Sequence, residues 1–186
     1  MRPELLHHRG GRLSVAELSA LRLDGTLHEV GDAYMPSDLP ETAAARALSL
    51  APLLRAGLAA SGPSAAWVHG AGDRPPPRHH ARPFAGRRLR PPSDARLTVH
   101  ESPVRQDDLV VIGGVRIVAV VETVVDLART AHLPGVAPWL TALVSPHPRD
   151  AEQALNRLRT RVRMPGKRRA IRLLAEVYED VTRYTS

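Results

Sequence analysis

The sequence predicts an α+β fold, and three observations carry that expectation. Two apolar, β-branched runs, 109–112 and 115–121, flank Gly113-Gly114, the pattern of a hairpin. Apolar residues at 155, 158 and 162, and again at 171, 174, 178 and 181, recur at helical spacing. Arg74-Pro-Pro-Pro-Arg78 and Arg90-Pro-Pro-Ser93 break any regular element and mark exposed loops. A length of 186 residues suits one domain or two small ones. Aromatic residues are only 3% against 43% apolar, so the core has to be assembled from Ala, Leu and Val.

Taken in order, a first helix is expected from Pro3 to about Arg9. Ser14-Val-Ala-Glu17 has the form of a capping box, and the helix it starts should run to about Leu23. Asp24-Gly25 ends it. Thr26 to Met35 reads as two short strands around Gly31-Asp32. Together these make a truncated winged helix-turn-helix-like unit over residues 1–38. Residues 39–186 are expected to form a small mixed β-sheet domain with C-terminal helices. Within it, 40–51 is helical by its Ala and Leu content, and Pro52 kinks or ends that helix. Ser64 is the expected N-cap of the next helix, with Trp67 in the turn behind it. Strands follow at His79 to Phe84 and Arg96 to Glu101, the latter alternating Leu97 and Val99 against Thr98 and His100. Both strands of the Gly113-Gly114 hairpin read as buried on both faces. Helices are expected at 123–132, 135–144, 148–163 and 167–182, with Met164-Pro-Gly166 separating the last two.

The net charge is +7, and Lys167 is the only lysine. Arginine in place of lysine fits GC-rich coding; the excess of positive charge fits a polyanionic or acidic partner. The excess is unevenly placed. Residues 1–36 carry four arginines against five carboxylates, residues 74–96 seven arginines against Asp94, and residues 149–172 nine basic residues against Asp150 and Glu152. Arg157 and Arg161 share one helix face, and Arg159 and Arg163 another, since alternate helical positions lie about 200° apart. Lys167, Arg168, Arg169 and Arg172 open the last helix, where the dipole disfavours cations. That placement suits an external anion, whether nucleic acid or an acidic protein surface; a solvated face in an arginine-rich chain is the alternative. Candidate DNA contacts are therefore Arg12, Ser14, Ser19 and Arg22 from the N-terminal helix and wing, and Arg157, Arg161, Lys167, Arg168, Arg169 and Arg172 from the C-terminal run. The first group lies in a segment whose carboxylates outnumber its arginines by one. A helix and hairpin that merely pack on the core would look the same.

Catalytic chemistry finds no foothold. The absence of cysteine removes disulfides, thiolate nucleophiles and Cys-ligated metals. His69, His79, His80 and His100 lie in the middle region, but no pair has the i, i+4 spacing of a zinc set, and arginines flank His79-His80. Gly113-Gly114 is no dinucleotide loop, and Pro165-Gly-Lys-Arg168 lacks the first Gly and the Ser or Thr of a phosphate loop. There is no Gly-x-Ser-x-Gly elbow. A Gly-Ser turn followed by Asp-x-Asp, as a nucleotidyltransferase needs, is missing, and so is a Glu-x-Lys, since Pro165 stands two positions before Lys167. No catalytic residue, metal or cofactor is expected. The N-terminus reads as no signal peptide, and no run approaches the ~20 apolar residues of a membrane span, so a cytoplasmic protein is expected.

Ser64-Ala-Ala-Trp-Val-His-Gly70, Val99-His100, Asp108-Leu-Val-Val-Ile-Gly-Gly-Val-Arg-Ile117 and Thr123-Val-Val-Asp-Leu-Ala-Arg129 together resemble the AbiEi-type antitoxins of actinobacterial type IV toxin–antitoxin systems. The similarity runs from about Leu13 to about Val177. It implies a transcriptional regulator that represses its own operon at inverted repeats in double-stranded DNA and opposes a nucleotidyltransferase toxin. It also implies structural roles for His69 and His100. The chain departs from the family pattern twice. Glu122 stands where relatives carry arginine, and Asp32 stands where their wing is basic, although Tyr34 remains. Two other functions stay open: a non-enzymatic protein-binding or scaffold module with a decayed DNA-binding head, and an RNA-binding accessory protein.

Overall fold

A computed structural model describes residues 5–54, 57–84, 94–161 and 164–183, and the fold is α+β. Two sheets organise it. The smaller has the order β1-β3-β2, from β1 (His7–His8), β2 (Leu27–Val30) and β3 (Ala33–Pro36), all antiparallel. Helix α1 (Val15–Leu23) precedes β2, and its capping box is complete. The Ser14 hydroxyl accepts from the Glu17 amide, and the Glu17 carboxylate accepts from the Ser14 amide. Over its described part, residues 5–9, the helix expected from Pro3 to Arg9 is not formed, and Pro3 lies outside the described residues. His7 and His8 pair instead with Tyr34 and Ala33, and Leu6 is buried in the core. The β3 edge offers backbone partners that a two-turn helix could not use, and so tertiary pairing overrides local preference.

The larger sheet has the order β6-β5-β4-β8-β7. Its strands are β4 (Leu58–Ala60), β5 (His79–Pro83), β6 (Leu97–Val99), β7 (Leu109–Ile112) and β8 (Val115–Val118). The β5–β6 and β4–β8 pairs are parallel and the others antiparallel, so the sheet is mixed. The Gly113-Gly114 hairpin forms in register, Ile112 opposite Val115. Strand β7 is the sheet edge, however, and is not buried on both faces: Val111 is 64% exposed. A β-branched run reports strand propensity and cannot distinguish an edge from a centre.

Helix α2 (Ala43–Ser49) is capped by Thr42 and closes at Leu50, short of Pro52. Helix α3 (Gly62–Val68) starts after Ser61, so Ser64 is not its cap. Ser64 is fully buried inside the helix, where its hydroxyl accepts from the His80 amide at 2.9 Å and meets His79 Nδ1 at 3.2 Å. A serine three residues into a helix looks like a cap in sequence; here strand β5 has recruited it. Helix α4 (Val120–Thr130) begins three residues earlier than expected, directly after β8. Helices α5 (Ala137–Val144), α6 (Pro148–Thr160) and α7 (Lys167–Arg183) fall close to their expected bounds. The expected 148–163 stretch closes at Thr160; Val162, Arg163 and the Arg90-Pro-Pro-Ser93 loop lie outside the described residues.

Two apolar clusters hold these parts together. One joins α4, α5, α6 and α7 through Leu127, Leu140, Leu158 and Leu174. The other surrounds Trp67 of α3 and includes Ile117 and Val118 of β8, Leu50, and Val30 and Met35 of the smaller sheet. Alanines fill both, as the scarcity of aromatics requires. The β2–β3 turn is locked into the second cluster. Gly31 has φ +56°, and a Cβ there would meet the Ser49 hydroxyl and lie 2.9 Å from the Trp67 ring. Only glycine satisfies both demands.

Candidate nucleic-acid interface

Helix α4 packs against α3, α5, α6 and α7 and carries Glu122 and Asp126 four residues apart, on one face. Both are buried, and arginines from two other elements converge on them. Arg82 of β5 donates to Asp126 and lies 3.8 Å from Glu122; its remaining donors reach the carbonyls of Ser102 and Pro103. From α6 and its C-cap, Arg157 donates to Asp108 at 2.5 Å and lies 3.5 Å from Glu122, while Arg161 donates to Glu122 at 2.5 Å. Arg129 approaches Asp126 at 3.6 Å. Four guanidinium groups thus share three carboxylates between the sheet and the helical layer. Burial, reinforced by the charge of Asp126, holds the Glu122 pKa above its ordinary value against the pull of Arg161. This network was not legible in the sequence, because its paired members are up to 49 positions apart.

The expected phosphate contacts therefore divide. Arg157 and Arg161 point inward and are occupied by carboxylates. Lys167 Nζ donates to the carbonyls of Arg159 at 2.9 Å and Arg161 at 2.5 Å, where it closes the end of α6. Arg168, Arg169 and Arg172 are exposed, and among the described residues no carboxylate pairs with them. Their spacing places all three within an arc of about 100° on α7. They crowd the positive end of the helix dipole, which disfavours their charge.

The N-terminal group is arranged differently. The Ser14 hydroxyl is committed to its capping box, Arg22 faces Glu29 at 3.6 Å, Ser19 is half-buried, and Arg12 is exposed. The wing turn does not project. Asp32 lies 3.4 Å from Arg96, and the buried Tyr34 hydroxyl accepts from Arg9 at 3.4 Å. The outward face of α1 carries Val15, 57% exposed, and Leu23, 77% exposed.

The histidines hold the sheet. His69 Nε2 bonds with the Val118 carbonyl at 2.8 Å, tying α3 to β8. His80 Nδ1 and His100 Nε2 are 2.9 Å apart, joining β5 to the end of β6, with the rings stacked at 5.2 Å. Burial lowers the pKa of His69, His79 and His100, and lowers that of His80 to about 4 with help from His100. Among the described residues, no three His, Asp or Glu side chains gather as a metal-binding group. No helix among them is long and apolar enough to cross a membrane.

No family model and no curated protein matches the chain. Among solved structures, the RV2827C protein from Mycobacterium tuberculosis is similar over 92% of this chain and 69% of its own, at 20% identity and a TM-score of 0.49. What fold and surface define is an α+β protein with a basic helix end that no carboxylate among the described residues pairs with.

Proposed function

We propose that this chain is a cytoplasmic, non-catalytic antitoxin and autorepressor of the AbiEi type, which binds inverted repeats in its own operator and opposes a nucleotidyltransferase toxin. One observation carries the DNA-binding part: Arg168, Arg169 and Arg172 stand exposed and unpaired at the positive end of α7. Guanidinium groups in that state neutralise backbone phosphates and release condensed counterions. Arg12 is the N-terminal candidate that remains free. Arg157 and Arg161, which tie α6 to Asp108 and to Glu122 of α4, and Lys167, which ties α7 to the end of α6, support the reading only indirectly. The antitoxin part rests on the sequence motifs. Trp67 and Asp126 within them are buried in the scaffold and His69 is half-buried, which fits motifs that specify a fold and leave the contacts to the surface.

The test is a salt titration of binding to the DNA upstream of the gene. Each phosphate contact contributes about 0.9 to the slope of log K against log salt. Replacing Arg168, Arg169 and Arg172 together by alanine should lower that slope by roughly 2.7 and weaken all duplexes alike. An unchanged slope excludes this surface. Expressing the chain beside the neighbouring nucleotidyltransferase should restore growth, and failure to do so removes the antitoxin assignment. A second reading, a protein-binding module, draws on the tucked wing turn and on exposed Val15 and Leu23. It requires that no duplex is retained at low salt.

A further inference from the structure

Strand β7 is the longer of the two edges of the larger sheet. Sheet edges are normally blunted by a charge, a proline, a bulge or a covering element. None of these protects β7 among the described residues. It reads Leu-Val-Val-Ile, it pairs with β8 without a bulge, and its Val110 and Val111 are exposed. Asp107 and Gly114, just beyond its two ends, are exposed as well, so neither end is walled off. The opposite edge, β6, has three residues, and its Leu97 is buried.

The hairpin fixes which backbone groups face outward. Gly113 and Gly114 have φ of +57° and +82°, as a two-residue primed turn requires. The pair that flanks such a turn, Ile112 and Val115, exchanges both of its backbone bonds, and alternation gives the same to Val110 and Ile117. Val111 lies between them and turns its N–H and C=O away from β8. Among the described residues no backbone group meets either. Leu109, the next residue in that orientation, already donates its N–H to the Gln106 carbonyl. Val111 is thus the residue of β7 with both groups open. That is a short template for an extended foreign peptide, whose hold comes from bonds along several residues. It is complete for a second copy. Under a two-fold axis through Val111, each Val111 N–H donates to the other copy's Val111 C=O, and the Leu109 carbonyls face the partner turn. Two β-branched side chains then stand opposite each other, a favourable cross-strand pair. Gly113 and Gly114 bring no side chain to the point where the partner's strand begins. Arg116, across from Val111 on β8, leans back over the Phe84 ring at 4.7 Å, toward the middle of the sheet, so like charges stay off the axis.

We infer that two copies of this chain associate by antiparallel pairing of β7 with β7, which joins their larger sheets into one continuous sheet. The partner is a second copy because the open donor and acceptor of Val111 are each other's complement under a two-fold axis. The inference does not depend on the DNA-binding assignment, and its test contains no DNA.

Sedimentation equilibrium of the full chain should show a mass that rises with concentration toward that of two chains. Val111→Pro removes the outward N–H, which β8 does not use, and an edge position of this kind tolerates proline. Val111→Lys places a charge on the edge. Each should weaken association roughly tenfold or more, since every dimer loses two hydrogen bonds or brings two like charges together. Far-UV circular dichroism of the monomer should stay unchanged. The chain has no cysteine, so Val111→Cys gives one thiol per copy. Opposed residues in a bonded antiparallel pair have Cα atoms about 5.5 Å apart, within disulfide reach. Mild oxidation should therefore link Val111→Cys into a covalent dimer and leave Leu23→Cys, on the exposed face of α1, largely unlinked. Val111→Lys and Val111→Cys decide the matter if Val111→Pro does not fold. A chain that stays monomeric at every concentration overturns the proposal, even if a foreign peptide adds to β7. Association undiminished by Val111→Lys, or equal linking of the two cysteine variants, puts the interface elsewhere and overturns it too.

Discussion

The carboxylates of α4 look equivalent in sequence, four residues apart on one face, yet their replacement should cost different amounts. Asp126→Asn leaves Arg82 facing a neutral amide, with its other carboxylate, Glu122, farther off at 3.8 Å. The Arg82 side chain is only 10% exposed, so it cannot turn to water. Breaking a buried pair from one side typically costs about 3–5 kcal/mol. Glu122→Gln strands Arg161, which is 30% exposed and can reorient into solvent, while Arg157 keeps Asp108 at 2.5 Å. The raised pKa of Glu122 already records that its charged form is poorly favoured, chiefly by burial. Its loss should therefore cost about 1–2 kcal/mol, nearer to a solvent-screened pair. Urea unfolding followed by far-UV circular dichroism measures both. The midpoints should shift with little change in slope, and Asp126→Asn should fall well below Glu122→Gln. If Glu122→Gln proves equally or more damaging, exposure of the partner arginines does not govern the cost, and the reasoning fails.

Stability should also depend on pH in two opposed ways. His69, His79, His80 and His100 have folded-state pKa values lowered by burial, so their contribution is present above the unfolded value of 6.5. It is lost as pH falls, for His80 through about 4, and thermal melts should show Tm dropping across that window. Glu122, with a raised pKa, contributes stability below its unfolded value of 4.5 that disappears as pH rises through the folded value. Glu122→Gln should thus flatten the stability profile just above 4.5, and an unaltered profile would contradict the assigned burial effect. Gly31→Ala combines a positive φ with a Cβ pressed on Trp67, so it should destabilise by about 2–4 kcal/mol. A wild-type melting curve for that variant would mean that the wing turn is not anchored to the core.

The parts visible in the sequence were those governed by local chemistry. The Ser14 capping box, the Gly113-Gly114 hairpin, the α7 stripe and the Leu155 and Leu158 part of the α6 stripe each place cause and consequence within a few residues and formed as expected, while Val162 lies outside the described residues. The misreadings share another origin. Residues 7–8 became a strand because β3 offered them an edge, Ser64 left the capping role because β5 needed its hydroxyl, and β7 was exposed because no strand lies beyond it. Among the candidate contacts, charge alone could not separate Arg157 and Arg161, which face carboxylates, from Arg168, Arg169 and Arg172, which do not.

The amino-acid sequence by itself determined the fold class, the alanine-rich core and the concentration of positive charge toward the C-terminus, since helical period, strand alternation and composition are properties of neighbouring residues. The tertiary structure alone decided which arginines are free, where the wing turn goes and which strand is left at an open edge. Whether a charge meets a partner depends on elements brought together from distant parts of the chain, and burial sets the cost of leaving it without one.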